Sequence, residues 1–184
     1  MFIRFMFILF ALVASIASAQ VHDPKALSAD PSVAEGPIAP ILSGLGKHHF
    51  SVTTNNPRSQ AFFDQGFRLT YAFNHSEALR AFKEAARLDP NNAMAYWGWA
   101  LVLGPNLNLP MQAQVVSQSY QAMQKARALK DKVTVKERAY IDALSVRYSD
   151  NPDANRAQLD AAYVNTMSAL VKQYPEDSDA ATLY

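Results

Sequence analysis

The stretch Asn74–Ala100, NHSEALRAFKEAARLDPNNAMAYWGWA, has a helical pattern that is interrupted at Leu-Asp-Pro-Asn-Asn. Asn74 followed by Glu77 is typical of a helix start, because these side chains can bond the free backbone amides of the first turn. Pro90 disfavours helical backbone at the residue before it, so the helix is expected to end at Asp89. One of the two Asn residues after Pro90 can then cap a second helix. The stretch therefore predicts two short helices joined by a tight turn.

The first of these helices has one face of small and aromatic residues, formed by Ala78, Phe82 and Ala85. Small side chains let a neighbouring helix approach closely, and the aromatic ring fills the remaining space. The helix before it offers a matching face at helical spacing. The predicted members of that matching face are Phe62, Gly66 and Leu69.

The same pattern recurs along the chain with a period of about 34 residues, the length of a known class of two-helix repeat. The face of Phe62, Gly66 and Leu69 returns one period later as Tyr96, Ala100 and Leu103. The sequence GPNLNLP, residues 104–110, then inserts seven residues into the 34-residue period. After this insertion the small and aromatic face returns as Ser119, Met123 and Ala126. The chain is thus expected to consist of successive two-helix units.

A third unit is weaker but follows the same plan. Thr134 and Glu137 predict a capping box that opens a helix to about Tyr148. A second helix is expected from about Asn155 to Tyr174. The sequence after Pro175 looks like the start of a fourth unit without a stop signal, so the chain reads as the front part of a longer protein. The apolar residues expected to be exposed and frayed there are Ala180, Ala181, Leu183 and Tyr184.

The repeated pattern resembles the tetratricopeptide repeat, which places an aromatic, a leucine, a glycine and a tyrosine on its first helix and alanine, phenylalanine and proline on its second. The matching residues are Phe62, Gly66, Ala78, Phe82, Ala85 and Pro90, whereas Gln65 and Leu69 depart from the pattern. The longer strings LGKHHFSVTTNNPRSQAFFDQGFRLTYAFNHSEALRAF and AMAYWGWALVLGPNLN are similar to exported bacterial tetratricopeptide-repeat proteins of uncharacterised role. The resemblance implies an all-α, right-handed solenoid of helix pairs that serves as a protein or peptide docking surface. It implies no reaction.

The segment Met1–Ala19 has the composition of a secretory signal. It contains one cation, Arg4, an apolar run from Phe5 to Ile16, and a small-residue ending that predicts cleavage after Ala19. The apolar run is shorter than the ~20 residues that span a bilayer. We therefore expect a protein exported to the periplasm or the medium, without membrane insertion after cleavage.

The composition of the remaining chain excludes several functional classes. The sequence has 17 Lys and Arg against 16 Asp and Glu, and the signal holds one Arg and no acid, so the mature formal charge is zero. This charge balance provides no excess of cations to steer the chain to nucleic acid or acidic lipid. The sequence has no cysteine, which excludes disulfides, thiolate metal sites and thiol nucleophiles.

The mature chain is expected to have two parts. Residues 20–58, which we call the lead-in, contain five prolines and are expected to be extended, with a short strand suggested at Phe50–Thr54. Residues 59–184 form the helical domain, whose units are expected at about 59–92, 93–132 and 134–175, with the start of a fourth at 176–184.

A second apolar face on the first helix of each unit gives the functional prediction. A helix that is apolar on two faces must be covered twice, and in the family that the chain resembles this second face lines the concave surface. Aromatic residues in such a groove would anchor a bound peptide. The residues predicted to bind it are Phe63, Phe67, Tyr71, Trp97 and Leu101.

Two alternatives to an open groove remain. The apolar lead-in segment Ile38–Phe50 can fold back and fill the groove, since it is tethered beside it. The binding surface would then lie elsewhere, for example at the loop Gly104–Pro110, where Asn106 and Asn108 present amides. The simpler interpretation of that loop is a structural kink between two helices.

Catalytic and metal sites are not indicated. The strongest metal hypothesis gathers the histidines His48, His49 and His75 with Asp64 or Glu77, but neighbouring side chains in an extended segment diverge, and a histidine at a helix start suits a cap. The sequence has no HExxH, phosphate-binding glycine loop or Gly-x-Ser-x-Gly motif. The polar residues of the second helix are expected to form a solvated face, with pairs such as Arg80 with Glu84; they are Arg80, Lys83, Glu84 and Arg87.

The sequence therefore predicts an exported binding module for a protein or peptide, with no catalytic residue, metal or cofactor of its own. The alternative is the N-terminal part of a larger enzyme or metal-binding envelope protein, in which the repeats position a partner.

Overall fold

The computed structural model describes residues 36–151 and 153–184, and this part of the chain is all-α, with no β-strand. Its seven helices are α1 (Pro57–Tyr71), α2 (His75–Leu88), α3 (Ala93–Leu103), α4 (Val116–Leu129), α5 (Val135–Ser145), α6 (Arg156–Gln173) and α7 (Ser178–Leu183). Short 3-10 turns occupy Ala113–Val115 and Lys130–Lys132. The predicted signal sequence lies outside the described residues. None of the described helices is both long enough and apolar enough to cross a bilayer.

Polar side chains cap most of the helices at their N-termini. The predicted cap of α2 is present, since the Asn74 side chain accepts a hydrogen bond from the Glu77 N–H. Asn92 caps α3 in the same way after α2 ends at Leu88. The predicted capping box of Thr134 and Glu137 opens α5. These caps bond amides that have no partner within a helix, so they fix where each helix begins.

The helices pack in chain order. Each helix from α1 to α7 contacts the next one, and α1 also contacts α3 while α3 contacts α5. The residues predicted to face each other in the first unit are buried: Ala78, Phe82 and Ala85 on α2, and Phe62, Gly66 and Leu69 on α1. The returning face Ser119, Met123 and Ala126 is buried too.

The Phe82 ring lies between two glycines on different helices. A Cβ atom built on Gly66 of α1 would lie 2.9 Å from the ring, and one built on Gly98 of α3 would lie 2.4 Å from it. Both distances are far shorter than a van der Waals contact. The two glycines therefore make the space in which α1, α2 and α3 meet around one aromatic side chain.

The lead-in does not form the predicted strand. Phe50–Thr54 has no backbone partner of the kind a strand needs, and its N–H groups at Phe50, Val52 and Thr53 donate instead to helix side chains. Ala39, Phe50 and Val52 belong to the hydrophobic core. The described part of the lead-in thus packs on the helices, and its side chains contribute to the same core.

Two further sequence predictions are wrong in detail. Lys83 and Glu84 are buried, so the polar side of α2 is not a fully solvated face. Glu84 pairs with Arg87 rather than with Arg80, which pairs with Glu77. The reason is that part of the lead-in and the Trp99 ring cover this side of α2, as Lys83 Nζ lies 4.8 Å from the centre of that ring.

The last helix differs from the expectation of exposed apolar residues. Ala180 is fully buried, and Leu183 packs partly against the core, whereas Ala181 and Tyr184 are exposed as predicted. Asp177 explains the difference, because its side chain caps α7 and is itself held from outside the helix. Fraying of α7 stays a prediction.

Candidate functional site

Four of the five residues predicted to line a groove come together where α1 meets α3, and the fifth, Leu101, lies on α3 one turn after Trp97. The Phe67 ring lies 5.7 Å from Phe63, 4.8 Å from Tyr71 and 5.9 Å from Trp97, measured between ring centres. Leu101 is buried in the same core. Tyr71 is half-buried and the other four are buried. We call this surface the aromatic face.

The lead-in covers the aromatic face, so no open groove is present. The Phe50 ring lies 5.9 Å from Phe63, 5.3 Å from Phe67 and 5.3 Å from Tyr140 of α5. The last two contacts are edge-to-face, the arrangement that aromatic pairs favour. The segment therefore lies where the sequence suggested that a peptide would bind, as in the alternative in which the lead-in folds back.

Two glutamines of α1 bind the lead-in backbone in the same way. Gln60 accepts from the Val52 N–H at 2.9 Å and donates to the Phe50 carbonyl at 2.9 Å. Gln65 accepts from the Leu42 N–H at 2.8 Å and donates to the Pro40 carbonyl at 3.0 Å. A side-chain amide has the same donor and acceptor as a peptide group. Each glutamine therefore replaces the partner that a neighbouring strand would offer to two residues of an extended chain.

Charged side chains of α1 and α2 bind further backbone groups of the lead-in. Asp64 accepts from the Phe50 N–H at 3.1 Å, and Arg68 donates to the His48 carbonyl at 2.6 Å. At the other end, Glu84 accepts from the Ile38 N–H at 2.9 Å, and Arg80 donates to the Ile38 carbonyl at 2.8 Å. Hydrogen bonds with a charged partner are the stronger kind.

Glu84 is the most buried of these charged groups. Burial alone would raise the pKa of its carboxyl, but hydrogen bonds from Arg87 and from the Ile38 N–H outweigh burial and lower that pKa. Arg87 donates to both carboxylate oxygens, at 2.8 and 2.7 Å. The carboxylate is thus held in its ionised form as an acceptor for the lead-in.

Glu137 of α5 holds the end of the lead-in. Its carboxylate accepts from the N–H and the hydroxyl of Thr53, both at 2.6 Å, while it also accepts from the Thr134 N–H within the capping box. One buried side chain therefore serves the start of α5 and the docked segment. This contact joins residues 84 positions apart in the sequence.

Two aspartates at the start of α7 border the aromatic face. Asp179 accepts from the Tyr71 hydroxyl at 2.7 Å and lies 2.9 Å from His48 Nε2. Asp177 accepts from the Tyr140 hydroxyl at 2.8 Å and pairs with Lys136 at 2.7 Å. The lead-in, α1, α5 and α7 therefore meet at one pair of carboxylates.

The ionisation of this group follows from burial and charge. Burial, then the hydrogen bond and charge of the aspartates, raise the pKa of the Tyr71 and Tyr140 hydroxyls well above their ordinary value. Burial alone would raise the pKa of Asp177, but hydrogen bonds from Lys136 and Tyr140 outweigh it and lower that pKa. The tyrosines are thus neutral donors and Asp177 an ionised acceptor, which suits a structural role.

The three histidines of the metal hypothesis have separate partners. His48 pairs with Asp179, His49 Nδ1 lies 2.7 Å from Asp64 Oδ2, and His75 Nδ1 lies 3.1 Å from Asn106 Nδ2. Within residues 36–151 and 153–184, no group of three or more histidines or carboxylates is arranged to hold a metal ion.

The loop Gly104–Pro110 is held as a kink. Asn106 Oδ1 accepts from the Asn108 and Leu109 N–H groups, and a Cβ atom at Gly104 would lie 2.3 Å from the Tyr148 hydroxyl. Asn106 is therefore used within the protein, as the simpler interpretation expected. Leu107 at the tip is 91% exposed.

A polar pocket of about 520 Å³ lies beside the end of the lead-in. Much of its polar lining is already bonded within the protein: the Thr54 hydroxyl donates to Asp89, and the Asn56 amide donates to the Leu88 carbonyl at 2.9 Å. It is lined by Thr53, Thr54, Asn55, Asn56, Leu88, Asp89, Asn91 and Lys132.

The polar residues that bind the lead-in were not among the predicted site residues. They are Gln60, Asp64, Gln65, Arg68, Arg80, Glu84 and Glu137. A signal was present, since Gln60 and Asp64 lie four residues apart on a helix that is otherwise apolar on two sides. Polar groups at such positions need a buried partner.

Comparisons with known proteins found no relative of this chain. No protein-family model matches the chain, and neither the curated proteins nor the solved structures contain a match.

Proposed function

We propose that this protein is an exported scaffold of the tetratricopeptide-repeat type that binds an extended segment of a protein chain on its aromatic face, without chemistry of its own. The observation that carries the proposal is the manner in which the lead-in is held. Gln60 and Gln65 each bond a carbonyl and an N–H two residues apart, as they would in any extended peptide. The lead-in is thus bound as an extended peptide would be, and its Phe50 side chain lies on the aromatic face.

The chemistry of the contacts favours binding over catalysis. The polar groups that converge on the lead-in bond peptide N–H and carbonyl groups, while the aromatic residues take up the Phe50 side chain. Backbone hydrogen bonds with side-chain pockets are how extended peptides are recognised in general. The Asp177 and Asp179 carboxylates are bonded to tyrosine hydroxyls and so serve to fix α7.

The repeat architecture of the proposal has its own support. Helices that contact their neighbours in chain order, with α1 against α3 and α3 against α5, are what a stack of helix pairs requires. The sequence period of about 34 residues and the buried small and aromatic face agree with it. Export is proposed on the sequence of the segment Met1–Ala19 alone.

A partner must compete with the lead-in for the face. A tethered segment has an effective concentration that reaches the millimolar range for short linkers. A free peptide therefore binds the native chain weakly unless the lead-in is weakened. A variant of the full chain in which Phe50 is truncated weakens the hold of the lead-in on the face while every helix stays in the chain.

The test uses the full chain carrying Phe50→Ala and a fluorescent synthetic peptide of residues 36–56 with the native sequence. Fluorescence anisotropy should show saturable binding to the variant, and at least about tenfold weaker binding to the native chain, whose own Phe50 is in place. A peptide of scrambled sequence is the control. Circular dichroism checks that the variant is folded, and Phe50→Leu replaces it if it is not.

Equal binding of the native and scrambled peptides to a folded variant contradicts the proposal. So does equal binding of the native peptide to the variant and to the native chain, because the peptide would then lie at another site.

A further inference from the structure

The aromatic face contacts successive lead-in residues in different ways, so it can distinguish one extended sequence from another. Phe50 and Val52 are buried and Thr53 is bonded to Glu137, while Ser51 among them is exposed. Alternate residues of an extended chain point to opposite sides. The first and third positions of a bound segment therefore meet the protein, and the second faces solvent.

The first position favours an aromatic ring. Phe50 makes edge-to-face contacts with Phe67 and Tyr140, at 5.3 Å in both cases. The Lys136 ammonium lies 5.4 Å from the centre of the same ring. Both interactions depend on the π-system, so an aliphatic side chain of similar volume would lose them.

The third position is fixed in register by Gln60. Since Gln60 bonds the Phe50 carbonyl and the Val52 N–H together, the residue at the third position must have a free N–H. Val52 is buried, which requires an apolar side chain there. A β-branched residue also favours the extended backbone that the register needs.

The fourth position favours a hydroxyl. Thr53 lies at the edge of the face and is exposed, but its N–H and hydroxyl both donate to the buried Glu137 carboxylate. Serine can make the same two bonds, whereas valine can make only the first.

We infer that the aromatic face selects extended protein segments with the pattern of an aromatic residue, any residue, a β-branched aliphatic residue, and threonine or serine. The inference rests on the proposed function and names the partner by this pattern, of which Phe50–Thr53 is the example within the chain. The partner is a segment of another polypeptide that displaces the lead-in. Its N–H groups at the first, third and fourth positions must be free.

The experiment measures how single changes in the 36–56 peptide alter its affinity for the folded Phe50→Ala chain. Phe50→Leu in the peptide should weaken binding by about three- to tenfold, and Thr53→Val by about tenfold, while Thr53→Ser changes it by less than about threefold. Ser51→Lys should change affinity by less than about threefold, since that position faces solvent.

N-methylation of the peptide tests the register. A methyl group on the Val52 nitrogen should weaken binding by about tenfold or more, because it removes the donor to Gln60. The same modification at exposed Ser51 is the matched control. In a protein that also carries Gln60→Ala, the difference between the two methylated peptides should largely disappear.

The outcomes separate the two proposals. If the native peptide binds no better than a scrambled one, the proposed function fails and the pattern fails with it. If the native peptide binds but its Phe50→Leu, Thr53→Val and Val52-methyl forms bind equally well, the site exists and the pattern is wrong. A Ser51 change as harmful as the Val52 change would also overturn the register.

Discussion

Replacing Gly98 by alanine should destabilise the protein, although helix propensity alone predicts that the change stabilises it. Gly98 lies inside α3, where alanine is favoured over glycine by about 1 kcal/mol. The added Cβ would lie 2.4 Å from the Phe82 ring, and that ring is fully buried between Gly98 and Gly66. Because the ring is fully buried, room for the added methyl group requires a shift of packed atoms.

The expected magnitude follows from these opposing effects. Overpacking a core by one methyl-sized group costs about 1–3 kcal/mol, and a contact this short belongs at the upper end of that range. Subtracting the propensity gain of about 1 kcal/mol leaves a net loss of about 2 kcal/mol in the free energy of unfolding. Gly66→Ala, whose Cβ would lie 2.9 Å from the ring, should cost less.

The assay is urea unfolding of the native chain, of Gly98→Ala and Phe82→Leu, and of the double variant. Because the smaller side chain removes the clash, the double variant should be more stable than the sum of the single losses predicts, by at least about 1 kcal/mol. A Gly98→Ala chain more stable than the native one refutes the reasoning. Strict additivity of the two changes does so as well, since the residues would then not be in contact.

Three further predictions concern stability. Phe82→Ala should lower the free energy of unfolding by about 3–5 kcal/mol, measured in urea, and a loss below about 1 kcal/mol contradicts its place in the core. The pKa of Glu84 is lowered in the folded chain, so the unfolded chain binds its proton first, and stability should fall as pH drops below about 5. Glu84→Gln should flatten that acid dependence in urea titrations from pH 7 to 3, and an unchanged slope argues against the lowered pKa. Tyr140→Phe should cost about 1–3 kcal/mol, because Asp177 loses a buried donor, and Tyr71→Phe at the half-buried position should cost less; equal losses from the two variants contradict this ranking.

The helices were predictable because their signals are local. Asn74, Asn92 and Thr134 cap the helices that follow them, and Pro90 ends α2 through its effect on Asp89. The packing of Phe82 was predictable too, since small residues at helical spacing mark where two helices approach. What these signals did not include was the second glycine at the Phe82 ring, Gly98, which depends on how α3 lies across α2.

The docking of the lead-in was less predictable for a physical reason. Its backbone bonds go to side chains, such as Gln60 and Glu137, that are distant in sequence and follow no period. Apolar periodicity correctly grouped Phe63, Phe67 and Trp97, but it could not say whether a partner or the chain itself covers them. The solvated face expected at Lys83 and Glu84 was wrong for the same reason, since their cover comes from outside their own helix.

Native-state hydrogen exchange of the lead-in amides tests the central claim most directly. If the lead-in is a bound segment, the Phe50 and Val52 amides are protected in the full chain but exchange through a local opening. The free energy of that opening should be lower, and less dependent on denaturant, than that of the buried amides of α1 and α3. The account is contradicted if Phe50 and Val52 exchange only with the same free energy and denaturant dependence as those helices, because the face would then never open to a partner.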